Sequence, residues 1–130
     1  MPALTGAPTQ YGAYEVDLTG VAAVTGGAIL ALLNPEGADL LLVRTVVDLL
    51  AKATGAANIN IGIGASPTTS YSNVLAATAA GGGGAGVIDS LPALGAVKWP
   101  AAQYLTVSGS ASTVGLVGRL YLDYFRAKGA

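Results

Sequence analysis

The sequence predicts an all-β domain, a single β-sandwich of jelly-roll-like build with at most one short helical turn. Short runs alternate apolar and polar residues at the two-residue period of a half-buried strand, and β-branched residues cluster inside them. Gly, Pro and Asn punctuate the intervals. Some seven or eight such runs fit into 130 residues, the length of one domain.

Residues 1–13 hold Pro2, Gly6, Pro8 and Gly12 without any hydrophobic period. They read as a flexible N-terminal arm that orders on a partner, which assigns the sandwich to residues 14–130. Tyr14, Val16 and Leu18 alternate with Glu15 and Asp17 as a first strand. A second apolar run, Ala28 to Leu33, stops at the turn Asn34-Pro35-Glu36-Gly37. Over Leu40 to Leu50 a helix competes with a strand, because Asp39 is a capping residue and Arg44 and Asp48 stand one helical turn apart. The β-branched cluster Val43, Thr45, Val46 and Val47 favours the strand. Its core face is then Leu41, Val43, Thr45, Val47 and Leu49, with Arg44 and Asp48 opposite.

In the following NINIGIG segment, Ile59, Ile61 and Ile63 share one face. Ser66 to Ser70 is a loop, after which Ser72 or Asn73 is placed to cap a short helical turn through Leu75 and Ala76, ended by Gly81 to Gly84. Further short strands are expected at Val87 to Asp89, near Val97 to Trp99, and at Gln103 to Ser108. The clearest strand closes the chain. Leu116, Gly118, Leu120, Leu122 and Tyr124 form its core face, and Val117, Arg119, Tyr121, Asp123 and Phe125 its outward face.

Charge is scarce: 52% of residues are apolar and 10% charged, against roughly 25% charged in an ordinary domain. A folded chain of 12.7 kDa exposes on the order of 6,000 Å². Either Ala, Gly, Ser and Thr cover that surface, or neighbouring subunits bury part of it. The net charge of −1 and six singly scattered Lys and Arg offer no field to a phosphate backbone, so nucleic acid is not an expected partner. The longest uncharged apolar stretch, Val21 to Leu33, is interrupted by Thr25, Gly26 and Gly27 and falls short of the ~20 residues of a spanning helix. No membrane partner is expected, and the first residues lack the basic and apolar regions of a secretory signal.

The residue inventory argues against catalysis. The chain has no His and no Cys, which removes the commonest general base, the usual nucleophilic triads and most transition-metal sites. Glu15 and Asp17 share a strand face, but a Ca²⁺ site needs several more oxygens nearby, so they read as a solvated face. Gly62-Ile63-Gly64 has Pro67 where a dinucleotide fingerprint needs its third Gly, and Gly81 to Gly84 lacks the Gly-Lys-Ser/Thr of a phosphate loop. No catalytic residue, metal or cofactor is expected. The candidate site is instead an interface: Val117, Tyr121 and Phe125 with Arg119 among them on the outward face of the last strand, and Trp99 as a further anchor. A core position for Trp99 is the competing reading.

The stretch Thr45 to Leu75, the glycine loop and the closing GLVGRLYLDYF (Gly115 to Phe125) resemble small β-sandwich proteins encoded among the head genes of tailed bacteriophages. The resemblance lies in a style of sequence, Ala/Gly/Thr-rich and free of His and Cys with a strong final strand. It implies a capsid decoration protein on the virion surface whose partner is the major capsid protein. It further implies a homo-oligomer, favoured as a trimer, that cements neighbouring capsomers. Another virion or filament subunit, such as a tail or fibre protein, and a carbohydrate-binding jelly roll using Trp99 and the tyrosines are the alternatives.

Overall fold

The computed structural model describes residues 10–82, 84–90 and 96–126. The strands are β1 (Gln10–Thr19), β2 (Leu30–Leu33), β3 (Leu40–Ala51), β4 (Asn58–Gly64), β5 (Leu75–Ala79), β6 (Gly86–Ser90), β7 (Val97–Trp99), β8 (Tyr104–Gly109) and β9 (Val117–Arg126). Two sheets face each other. The first runs β1-β9-β3-β6, with β7 pairing the other end of the β3 edge that β6 occupies; the second runs β2-β8-β4-β5. All these pairings are antiparallel. The domain is therefore a β-sandwich, and no helix occurs among the described residues.

Each strand of the first sheet supplies its inner residues to one core. Strand β9 contributes Leu120, Leu122 and Tyr124, all buried, while Val117 and Arg119 face out, as the alternation predicts. The second sheet answers with Ile59, Ile61 and Ile63 from β4 and Leu105 and Val107 from β8. Each such Leu or Ile contributes ~1.5–3 kcal/mol by leaving water.

Three expectations need correction. The strand starts at Gln10, so residues 10–13 pair with β9 and belong to the sandwich rather than to an arm; residues 1–9 lie outside the described residues. The inner face of β3 is Leu40, Leu42, Thr45, Val47 and Leu49, because a register shift between Leu42 and Arg44 inserts one residue and reverses the phase. Only the second half of the predicted face holds. Finally, Leu75–Ala79 is a strand on β4 and not a helical turn. Asn73 does not cap a helix: its Oδ1 accepts from the Ile63 amide at 2.8 Å and its Nδ2 donates to the Ile63 carbonyl at 3.2 Å, which holds the chain against β4.

The inner face of β3 has a cost. Thr45 points into the core, where its hydroxyl is buried without a protein hydrogen-bond partner. Thr45→Val is expected to stabilise the domain by about 1 kcal/mol, read as a higher denaturation midpoint at unchanged m-value. A loss of stability would mean that the hydroxyl is satisfied.

Candidate interaction surfaces

Pairing on both sides of β9 builds a three-strand outer surface on the first sheet. Tyr11, Phe125 and Leu41 stand side by side in one row, Glu15, Tyr121 and Val46 in another, and Asp17, Arg119 and Asp48 in a third. The structure thus brings Val117, Arg119, Tyr121 and Phe125 onto one face, with Val117 46% exposed. They do not form a continuous apolar stripe, because charged pairs interleave with them. Arg119 sits 3.6 Å from Glu15 and 3.7 Å from Asp17, and Arg44 forms a two-pronged pair with Asp89. That guanidinium holds the Asp89 carboxyl below its usual range. Phe125 is engaged edge-on by Tyr11, with ring centroids 5.5 Å apart.

Trp99 is not on this surface or any other. Its side chain is wholly buried and its indole N–H donates to the Gln103 carbonyl at 2.8 Å. Next to it lies the buried Asn34, whose Nδ2 donates to the carbonyls of Ala38, Trp99 and Pro100 and whose Oδ1 accepts from the Glu36 and Gly37 amides. The Asn-Pro-Glu-Gly turn read from sequence is therefore a junction between the end of β2 and the start of β3. It also aims Glu36 at the end of β9. There Glu36 Oε2 accepts from the Tyr124 hydroxyl at 2.7 Å and from Arg126 Nη2 at 2.9 Å. Arg126 Nη1 in turn donates to the Tyr11 carbonyl.

The outer face of the second sheet is built differently, and sequence reading missed it. A strap, residues 65–73, crosses that face. Tyr71 lies directly over Gly62 and Gly64: a Cβ on Gly64 would stand 2.0 Å from Tyr71 Cζ. Ser70 and Ser108 share a 2.7 Å hydroxyl hydrogen bond, Thr106 Oγ1 donates to the Thr69 carbonyl, and the Ser66 amide donates to the Tyr71 hydroxyl. This explains why Thr106 and Ser108 are buried although they point away from the core. Gly26 and Gly27 lie against the backbone of Pro67 to Ser70. The legible signal was the NINIGIG alternation itself: glycine every second residue opposite isoleucine leaves space for something to lie on the strand.

Charge divides between the two sheets. Every charged residue among those described lies on the first sheet, in the Glu36–Asp39 turn that enters β3, or at Lys52 just beyond it; β2, β4, β5, β8 and the strap carry none. Lys52 borders an open groove of about 410 Å³ between β5 and β6. Among the described residues, no group of three or more acidic residues converges as a metal site, and no helix is long and apolar enough to cross a membrane.

A solved phage structure shares this fold. A chain of the capsid of Ralstonia phage GP4 superposes with a TM-score of 0.61, over 98% of this chain and 91% of that one, at 17% identity. At that identity the likeness is one of fold. No protein-family model and no curated protein sequence matches the chain.

Two measurements check this geometry. Gly64→Ala drives a methyl group into the Tyr71 ring and should cost at least ~1–3 kcal/mol, seen as a lower melting temperature; an unchanged one would mean that Tyr71 does not lie there. The second is the pH dependence of the melting temperature. Arg126 and then Tyr124 hold the Glu36 carboxyl below its ordinary value of 4.5, so the stability it supplies is present above that pH and lost below it. Burial, reinforced by Glu36, raises the Tyr124 hydroxyl from 10.0 to about 12, so its contribution is lost as pH rises through that interval. Glu36→Gln should flatten the acid limb.

Proposed function

We propose that this chain is a structural protein of a phage virion, a decoration subunit that binds the outer surface of the shell and stabilises it without catalysis. The observation that carries the reading is the match over nearly the whole of both chains to a capsid chain of Ralstonia phage GP4. The strand order supports it. Most connections cross between the sheets, with β1-β9-β3-β6 facing β2-β8-β4-β5, an order compatible with a jelly roll, a fold used in viral shells. The absence of His and Cys and the scarcity of charge fit a chain whose task is contact rather than chemistry.

The major capsid protein is the partner this reading assigns, with a homo-oligomer, favoured as a trimer, bridging neighbouring capsomers. Many weak contacts repeated on a symmetric lattice give high avidity. Binding only the assembled shell stabilises that shell by mass action. A carbohydrate-binding role has less support, since of the rings it would use, Trp99 and the tyrosines, Trp99 is in the core.

The test uses shells of the encoding phage assembled without this chain. Purified protein added back should saturate at a fixed stoichiometry and raise the temperature at which the shells rupture. Shells that neither bind it nor gain stability would overturn the reading.

A further inference from the structure

The leading half of β1 is held by little that belongs to the core. Gly12, Tyr14, Val16 and Leu18 point inward, but only the last two bring apolar side chains against the core: Leu18 is 1% exposed and Val16 half-buried. Gly12 has no side chain and Tyr14 is 36% exposed. Among the described residues β1 pairs on one side only, with β9. A stretch with one ladder and no buried side chain opens locally at far lower cost than the whole domain.

What holds it is a cluster anchored elsewhere. Asn34 fixes the turn before β3, its Oδ1 accepting from the Glu36 and Gly37 amides and its Nδ2 donating to the Trp99 and Pro100 carbonyls. From that base Glu36 accepts from Arg126 Nε at 3.1 Å, from Arg126 Nη2 at 2.9 Å and from the Tyr124 hydroxyl at 2.7 Å. The same guanidinium lies 5.9 Å from the centre of the Tyr124 ring and donates its remaining nitrogen, Nη1, to the Tyr11 carbonyl at 3.1 Å. A charge-assisted contact therefore runs from a turn seated beside Trp99, through one side chain, to the backbone of β1.

From this geometry we infer that Gln10 to Tyr14 open from the sheet as a unit while the rest of the sandwich stays folded, and that Glu36, acting through Arg126, is the catch that acid releases. This motion is independent of the virion reading. Opening bares the backbone edge of β9 from Leu122 to Arg126, the register partners of Tyr14 to Gln10. It also uncovers the Tyr124 ring, against which Gly12 lies in the closed form.

Glu36 is the member of the cluster that changes state in acid. Arg126 and then Tyr124 hold its carboxyl below the ordinary 4.5, so the catch is engaged above that pH and lost as pH falls through the lowered value. Its partners do not titrate there: Glu36 raises the Arg126 guanidinium further, and burial followed by Glu36 pushes Tyr124 up to about 12. Tyr14 is the titratable side chain that β1 brings to Tyr124, while the Tyr11 phenol faces Asp123 and Arg44 on the outer surface. Asp39, the other carboxylate of the turn, pairs with Lys98 at 3.4 Å on the side of β3 away from β1.

Backbone hydrogen exchange of the whole chain, followed by mass spectrometry, tests both parts. In the wild type at neutral pH the peptide spanning residues 10–15 should be protected, but less than β4 and β8. Its exchange should barely respond to sub-denaturing urea, because opening it exposes little surface, whereas that of β4 and β8 should rise steeply. Glu36→Gln, which keeps the shape and removes the charge, should lower the protection of that peptide by about tenfold or more, the loss expected of a hydrogen bond to a charged group. The wild-type peptide should show the same loss between about pH 5 and 3, after correction for intrinsic exchange, and Glu36→Gln should lack most of that step. If Glu36→Gln does not fold, Arg126→Lys, which retains the charge and gives up the two-pronged grip, takes its place at neutral pH. A peptide that exchanges in step with β4 and β8 at every urea concentration opens only with the whole domain, which overturns the inference. So does one that is unprotected in the wild type, one whose protection survives the substitution, or an acid step that persists in full without the Glu36 carboxylate.

Discussion

Strand β9 is hydrogen-bonded along its length on both sides, to all ten residues of β1 and to β3 from Leu40 to Ala51. Everything else in the first sheet is positioned by that double pairing. It sets the inner row Leu120, Leu122 and Tyr124 against the isoleucines of β4, and it sets the outer row where acidic β1 and mixed β3 surround Arg119. Two glycines permit the close fit. A Cβ on Gly12 would stand 2.3 Å from the Tyr124 ring, and one on Gly118 2.6 Å from the Asp48 carbonyl. Tyr124 can therefore lie flat across β1 and reach Glu36 with its hydroxyl.

The second sheet has a different problem and a different solution. Its outer face is covered by the chain's own strap, so β4 and β8 are buried on both sides, as the central strands of a three-layer protein are. Small residues make that possible: Gly62 and Gly64 admit Tyr71, while Thr106 and Ser108 supply the hydroxyls that satisfy the strap. Glycine-rich segments that invite comparison with nucleotide loops here serve the approach of one piece of protein backbone to another.

Local pattern sufficed wherever one face of a strand is core and the other is solvent. It revealed both faces of β9, the isoleucine face of β4, the turn at Asn34–Gly37 and the strand rather than helix at Leu40–Leu50. It failed where a long-range contact decides. The bulge after Leu42 is set by pairing with β9, and nothing in LLLVRTVVDLL marks it. Leu75–Ala79 has weak strand propensity and becomes one because Asn73 and the Val74 amide are held by β4. Trp99 has polar and helix-breaking neighbours that suggest a surface, but the Gln103 carbonyl meets its N–H in the core. The same limit applied to the surfaces. The outward residues of β9 were legible as a face, whereas the strap and the segregation of charge from it required two sheets to be assembled first.

Gln10 and Arg126 are register partners on adjacent strands. The first and last described residues therefore leave the sandwich side by side, at the edge where Arg126 bonds Glu36 and the Tyr11 carbonyl. A few residues of linker would join them without disturbing a core side chain, so the fold is suited to circular permutation. New ends opened in the glycine-rich loop between β5 and β6 would then emerge at a different edge of the sandwich. A peptide grafted there would be displayed away from the edge where Gln10 and Arg126 stand.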